Sequence, residues 1–204
     1  MADKTRTSKR QLEIQLAKLK TLDTPTLKLE QYPVSPETAA ELLYMAGFEH
    51  VDLKGQVIDL GTGTGRLAIG AALMGSKHVV GVDVDPEELA LARQNAKTAG
   101  VKVEWVKSDI DKLSGSYDTV IMNPPYGTRT VHADTRFLDK AFQLAPVTYS
   151  IHKSSTREYL VQYVKESNRR IDEARSLRMK IPHLFNFHSR KWGNVEVDLF
   201  RILG

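Results

Sequence analysis

From Val57 to about residue 167 the chain alternates short, β-branched runs with stretches of helical length. VIDL (57–60), HVVGVDV (78–84), VKVEWVKSDI (101–110), YDTVIMN (117–123) and VTYSIH (147–152) have strand composition. Between and after them lie GRLAIGAALMG, PEELALARQNAKTAG, FLDKAFQLA and STREYLVQYVKES, which carry helical patterning. Pro86 and Gly100 punctuate the second of these as start and stop, with Asp85 as its cap. Parallel neighbours need a crossover of a dozen or more residues, so repeated strand–helix units dictate a mostly parallel sheet with helices on both faces. The last two runs, IDEARSLRMKI and NVEVDLFRIL, have no helix between them and predict an antiparallel hairpin. Five strands and this pair make a seven-stranded α/β sheet.

Upstream, residues 1–22 hold six Lys/Arg against two acids, and Leu12, Leu16 and Leu19 recur at helical spacing. A helix from about 8 to 21 is expected, packed on the domain by that stripe or in contact with RNA. Ser35 followed by Pro36 marks a second helix start, and Gly47 its expected end. No repeat or composition break divides residues 1–204, so a single domain is expected, with 1–50 as an N-terminal helical extension.

The chain has no Cys, which excludes disulfides, thiolate zinc sites and a Cys nucleophile and suits a cytoplasmic protein. No apolar run has the length of a membrane span. The six His lack ligand spacing, so no metal is assigned. The net charge of +4 is unevenly spread: residues 119–204 carry 14 Lys/Arg against 8 Asp/Glu. That excess suits either a polyanionic partner or a solvated basic surface.

DLGTGTG (59–65) joins the first strand to a helix. Glycines there permit φ > 0 and close approach of a ligand to the backbone. The spacing Gly61-x-Gly63-x-Gly65, with Arg66 next, lacks the third glycine of a dinucleotide site, so no pyrophosphate is indicated. Asp83 ends the second strand, where an acid accepts both hydroxyls of a ribose, and Asp109 ends the third, placed for an adenine amino group. An adenosine ligand without pyrophosphate points to S-adenosylmethionine.

The fourth strand ends in Asn123-Pro124-Pro125-Tyr126. Neither proline can donate to a ladder, and both stiffen the chain. The Asn123 side-chain oxygen and the Pro124 carbonyl can each accept one hydrogen of a planar amino group. Two fixed acceptors favour a pyramidal nitrogen with its lone pair exposed, and Tyr126 can stack on the base.

DLGTGTG, VDVD, SDI and NPPY in this order resemble a class I S-adenosylmethionine-dependent methyltransferase, of Rossmann-like fold. LEQYPVSPETAA (29–40), VIMNPPYGT (120–128), SIHKSSTRE (150–158) and VEVDLFR (195–201) are similar to the methyltransferase-like protein 5 family and its archaeal members. The resemblance implies transfer of a methyl group to adenosine N6 in small-subunit ribosomal RNA, leaving S-adenosylhomocysteine. It implies that Gln31 and Val34 close over the cofactor and that Gly61, Thr62, Gly63, Thr64, Gly65 and Arg66 hold its methionine side. It places Asp83 at the ribose, Asp109 and Ile110 at the adenine, and Asn123, Pro124, Pro125 and Tyr126 at the reaction. Relatives carry Thr at the position of Val34, Cys at Thr62 and Thr64, and Phe at Tyr126. Eukaryotic members take a small zinc-binding activator subunit.

His152 and Lys153 end the fifth strand beside the fourth; Lys153 is a candidate wall of the substrate pocket or phosphate contact, with plain capping as the alternative, and Ser154 or Ser155 is expected to cap the next helix. Arg190, Lys191 and Trp192 are candidates at an RNA-facing hairpin tip. NPPY chemistry equally serves glutamine-N5 protein methylation or DNA adenine methylation. A non-catalytic factor that binds cofactor and RNA is the reading from another class.

Overall fold

The computed structural model describes residues 7–22, 33–125, 133–182 and 192–204. Seven strands form one sheet: β1 (Gln56–Leu60), β2 (His78–Asp83), β3 (Glu104–Lys107), β4 (Thr119–Met122), β5 (Val147–Lys153), β6 (Arg170–Pro182) and β7 (Trp192–Leu203). Their order is β3-β2-β1-β4-β5-β7-β6. The first five run parallel, while β7 is antiparallel to both β5 and β6. Both expectations, a mostly parallel sheet and a C-terminal hairpin, are met.

Helices α1 (Lys9–Ala17), α2 (Pro36–Tyr44) and α3 (Arg66–Leu73) supply the core on one face of the sheet, joined by Ala96 of α4 (Pro86–Ala99). Helices α5 (Ala133–Leu144) and α6 (Arg157–Glu166) cover the other. Strands β1 and β4 are covered on both sides, which is why their sequences are near-continuous apolar runs rather than alternating ones.

The register aligns the strand ends. Val106, Val82, Leu60, Met122 and Ser150 form one row across β3, β2, β1, β4 and β5. One residue beyond it stand Lys107, Asp83, Gly61, Asn123 and Ile151. Strand order reverses at β1, with β2 on one side and β4 on the other, and a crevice at such a point is where open parallel sheets bind ligands.

Three local expectations change. Helix α1 starts as foreseen, with a capping box between Ser8 and Gln11, but ends at Ala17 rather than near 21. Beyond it the backbone of Lys20 is drawn sideways: Asn95 Oδ1 accepts its N–H at 3.0 Å and Asn95 Nδ2 donates to its carbonyl at 2.9 Å. Gly47 does not end α2. A π-helical turn, Met45–Glu49, runs through it, and a Cβ there would stand 2.9 Å from Met74 Cε and 3.2 Å from Leu53. Glycine there sits in close packing rather than at a helix stop. Ser154 lies in a 3₁₀ turn (Ser154–Thr156) and donates to Asp198 at 3.0 Å; the cap position of α6 falls to Thr156, which makes no side-chain capping bond.

Trp105 of β3 accounts for two glycines. A Cβ on Gly65 or on Gly81 would lie 2.5 Å from its indole ring. Gly65 also has φ 85°, so it is required twice over. Gly81 has no such torsional demand and isolates the packing effect. Gly81→Ala is expected to lose about 1–3 kcal/mol in urea unfolding by overpacking. Trp105→Leu in the same chain should recover part of that loss, and strict additivity of the two changes would disprove the contact.

Candidate active site

The glycine turn is held from below by a buried acid. Thr62 Oγ1 donates to Asp59 Oδ2 at 2.6 Å, and the Ala68 N–H donates to the same oxygen at 3.0 Å. Gly61, Gly63 and Gly65 have φ of 67°, 55° and 85°, a left-handed run open to glycine and costly for other residues. The turn is stitched to β2 by the Thr62 N–H on the Val82 carbonyl, 2.9 Å. Thr62 and Thr64 are buried, and the Thr64 carbonyl accepts from Asn95 at 3.0 Å.

Asp83 takes two backbone donors, Gly63 N–H on Oδ2 at 2.8 Å and Asp85 N–H on Oδ1 at 3.0 Å. Burial raises its pKa and these N–H groups oppose the rise. Asp85 caps α4 as expected, accepting from Glu87 and Glu88. Asp109 caps a 3₁₀ turn, Ile110–Lys112, with the Asp111 N–H on Oδ1 at 3.0 Å, while Ile110 is buried beneath.

Arg66, the first residue of α3, is buried and pairs with no carboxylate among the described residues. Its Nη1 donates to the Val34 carbonyl and Nη2 to the Leu19 carbonyl at 3.4 Å; Nε has no partner. Burial brings its pKa down to about 10. Val34 therefore serves through its main chain, while its side chain joins the core.

Asn123 and Pro125 are half-buried and Pro124 is buried at the end of β4, one residue past the Leu60–Met122 pair. Gly61 and Asn123 are thus neighbours across adjacent strands. Lys153 ends β5, half-buried. The ring of the neighbouring His152 is buried, 2.6 Å from Ser150 Oγ, and burial drives its pKa down to about 3. Trp192 begins β7, paired with Pro182 in the backbone. Gln31, Tyr126, Arg190 and Lys191 lie outside the described residues. Among the described residues no group of three or more His, Asp and Glu is arranged to hold a metal ion, and no helix is long and apolar enough to cross a membrane.

The model of the methyltransferase small domain matches residues 37–146. The chain is 36 % identical to the rRNA N6-adenosine methyltransferase Mettl5 of Drosophila melanogaster, covering 94 % of each protein. It is 34 % identical to METTL5 of Danio rerio, over 94 % of this chain and 97 % of the relative. This chain belongs to the METTL5 family of methyltransferases. Among solved structures, a candidate RNA methyltransferase of Pyrococcus horikoshii superposes with a TM-score of 0.88 at 35 % identity, over 100 % of this chain and 98 % of that one.

A METTL5-family enzyme needs a methyl donor, and the site's chemistry fits S-adenosylmethionine. Three buried atoms around the glycine turn have no partner among the described residues: Asp59 Oδ1, Arg66 Nε and Glu88 Oε2. One cation and two carboxyls match an amino-acid zwitterion and a ribose better than they match one another. Glu88 escapes a reading by spacing. A Glu three residues after an Asp cap is placed to bond the cap's own N–H. Here that N–H belongs to Asp83, so Glu88 turns beneath the glycine turn, its Oε2 3.8 Å from where a Cβ on Gly63 would stand.

Burial, with Asp83 and Asp85 nearby, pushes the Glu88 carboxyl up to about 7, and burial pushes Asp59 up to about 7 as well. The folded state therefore binds more protons than the unfolded one between the ordinary carboxyl range and about pH 7. Ligand-free protein should lose stability as pH rises through that window and level off above it. Glu88→Gln is expected to flatten the decline and to gain about 1–3 kcal/mol at pH 8 relative to the parent, read by urea unfolding at pH 5 and 8. An unchanged pH slope would mean that this carboxyl ionises freely.

Proposed function

We propose that this enzyme transfers the methyl group of S-adenosylmethionine to the N6 amino group of an unpaired adenosine in RNA, most simply small-subunit ribosomal RNA. The observation that carries the reading is the β1–β4 register, which sets the glycine turn and Asn123 side by side. The likeness to two rRNA N6-adenosine methyltransferases supports the substrate class. The charge excess after residue 118 suits a polyanion.

When bound, S-adenosylmethionine supplies a methyl group on a sulfonium and a neutral thioether as leaving group. The chain's own residues do the rest. Asp83 accepts from the ribose hydroxyls, with the free face of its carboxylate beyond the two N–H groups that fix it. Arg66 meets the donor's carboxylate, and the Gly61–Gly65 backbone lets the methionine arm lie close. Gln31 and Val34 border the same arm. Asp83 and Asn123 are two strand spacings apart across the row, about 10 Å, so a nucleoside anchored at one carries its sulfur arm towards the other.

Asn123 Oδ1 and the Pro124 carbonyl each accept one N6 hydrogen of the target base. The two prolines fix these acceptors in advance, so little reorganisation remains during transfer. Well-oriented reactants gain on the order of 7–11 kcal/mol from positioning alone. The N6 proton leaves after transfer, when the nitrogen is positively charged and acidic, so no strong base is required. Tyr126 stacks on the flipped base, and Lys153, Arg190, Lys191 and Trp192 contact the flanking RNA. We place the enzyme in the cytoplasm.

Asn123→Ala is expected to reduce methyl transfer to small-subunit rRNA at least about 100-fold while leaving S-adenosylhomocysteine affinity within about threefold. Mass spectrometry of the rRNA after reaction with labelled donor gives the first quantity and calorimetry the second. Undiminished transfer would remove Asn123 from the reaction. Release-factor protein and DNA offered in the same assay separate the glutamine and DNA readings. Turnover by this chain alone would show that no zinc-binding activator is needed.

A further inference from the structure

We infer that Arg136 is a positioning residue for recognition of the donor's adenine, holding Asp109 so that one carboxylate oxygen stays free for the 6-amino group. The inference rests on the donor reading above and adds a residue that neither the glycine turn nor the NPPY stretch points to.

Asp109 Oδ1 is occupied twice, by the Asp111 N–H at 3.0 Å and by Arg136 Nη2. No donor among the described residues reaches Oδ2. The side chain is 43 % exposed, which leaves room for a ligand at Asp109. Arg136 also grips Asp111, with Nε and Nη2 on Oδ2 at 3.0 and 2.8 Å. One turn further along α5, Lys140 Nζ donates to the carbonyls of Leu113 at 3.1 Å and Asp111 at 3.4 Å. The whole stretch from Asp109 to Leu113 is therefore fastened to α5.

A second contact ties the same helix to the donor site. A Cβ on Gly61 would lie 3.1 Å from the ring of Phe137, so that ring abuts the glycine turn. Consecutive residues of α5 thus touch two walls of the nucleoside site: Arg136 the adenine side, Phe137 the methionine side. Helix α5 is the next element in the chain after β4 and the prolines.

An exposed ion pair of this kind often contributes little to stability. Stability alone would be served by the pair with Asp111. The bond to Asp109 does something else: it commits one oxygen and fixes which way the other faces. A carboxylate held in this way accepts from a 6-amino group and repels the 6-oxo group of a deaminated purine. Sites built to bond one group reject its replacement strongly.

The test uses S-adenosylhomocysteine and S-inosylhomocysteine, which differ in that substituent and in the proton that the 6-oxo base carries on N1, titrated into the full chain by calorimetry. The parent is expected to prefer the amino ligand by about 10- to 100-fold, the value of a charge-assisted hydrogen bond. Asp109→Asn should collapse the preference, because an amide serves either ligand. Arg136→Gln should cut it about fivefold and raise the KM for the donor with little change in kcat. In the Asp109→Asn background, Arg136→Gln should have no further effect on the preference. Arg136→Lys, which keeps the charge without the fork, should fall between parent and Arg136→Gln. An unchanged preference in Arg136→Gln, or an equal loss of affinity for both ligands, overturns the inference while leaving the donor reading intact. Failure of the parent to bind S-adenosylhomocysteine would overturn the donor reading itself.

Discussion

The pairing of β1 with β2 and β4 is the constraint from which the rest of the structure follows. Leu60 is matched to Val82 on one side and to Met122 on the other. Because the three strands run parallel and in step, their next residues, Gly61, Asp83 and Asn123, emerge in a line at one edge. A glycine turn, an aspartate and an asparagine are brought together by backbone hydrogen bonds alone. A slip of one residue would turn every side chain in the strand to the opposite face. In β1 such a slip would carry Asp59, which holds Thr62 and the Ala68 N–H, to the opposite face, so the bonds that fasten the glycine turn also set the register.

The site departs from what stability alone would select. Asp59, Arg66 and Glu88 each leave a buried polar atom without a partner in the described structure. Such atoms ordinarily cost on the order of 1–3 kcal/mol apiece. They cluster around one turn whose own torsions are left-handed, and nowhere else among the described residues. A ligand carrying a carboxylate, an ammonium and two hydroxyls satisfies what the chain leaves open. The core beneath, from Ile58 and Val120 to Ile69 and Leu138, is fully buried and apolar, so the polar frustration is confined to the ligand's side.

How much of this was legible in the sequence depends on the range of the interaction. The alternation from Val57 onward, the Pro86 and Gly100 boundaries and the final hairpin are local patterns, and they appear where expected. Asp83 and Asn123 were legible because a strand end is itself a local signal. Gly47 and Gly81 were not. One admits Met74 and Leu53 and the other admits Trp105, partners 6 to 27 residues away whose approach no window contains. Glu88 looked like an ordinary capping residue until Asp83 took the N–H it was spaced to reach. Arg136 sits in an unremarkable helix, and its meaning comes only from the third strand's end folding back against it. Val34 was expected to close over the cofactor; the structure puts its carbonyl on Arg66 and its side chain in the core.

Arg66 and Asn95 extend the logic to the N-terminal extension. Arg66 holds the carbonyls of Leu19 and Val34, and Asn95 brackets the backbone of Lys20 while also holding Thr64. Both flanks of residues 23–32 are thus fastened to the first turn of α3 and to α4, against the glycine turn. The cation proposed for the donor's carboxylate is also the one that holds Leu19 and Val34. The two roles draw on different nitrogens, Nη1 and Nη2 for the carbonyls and Nε for an anion.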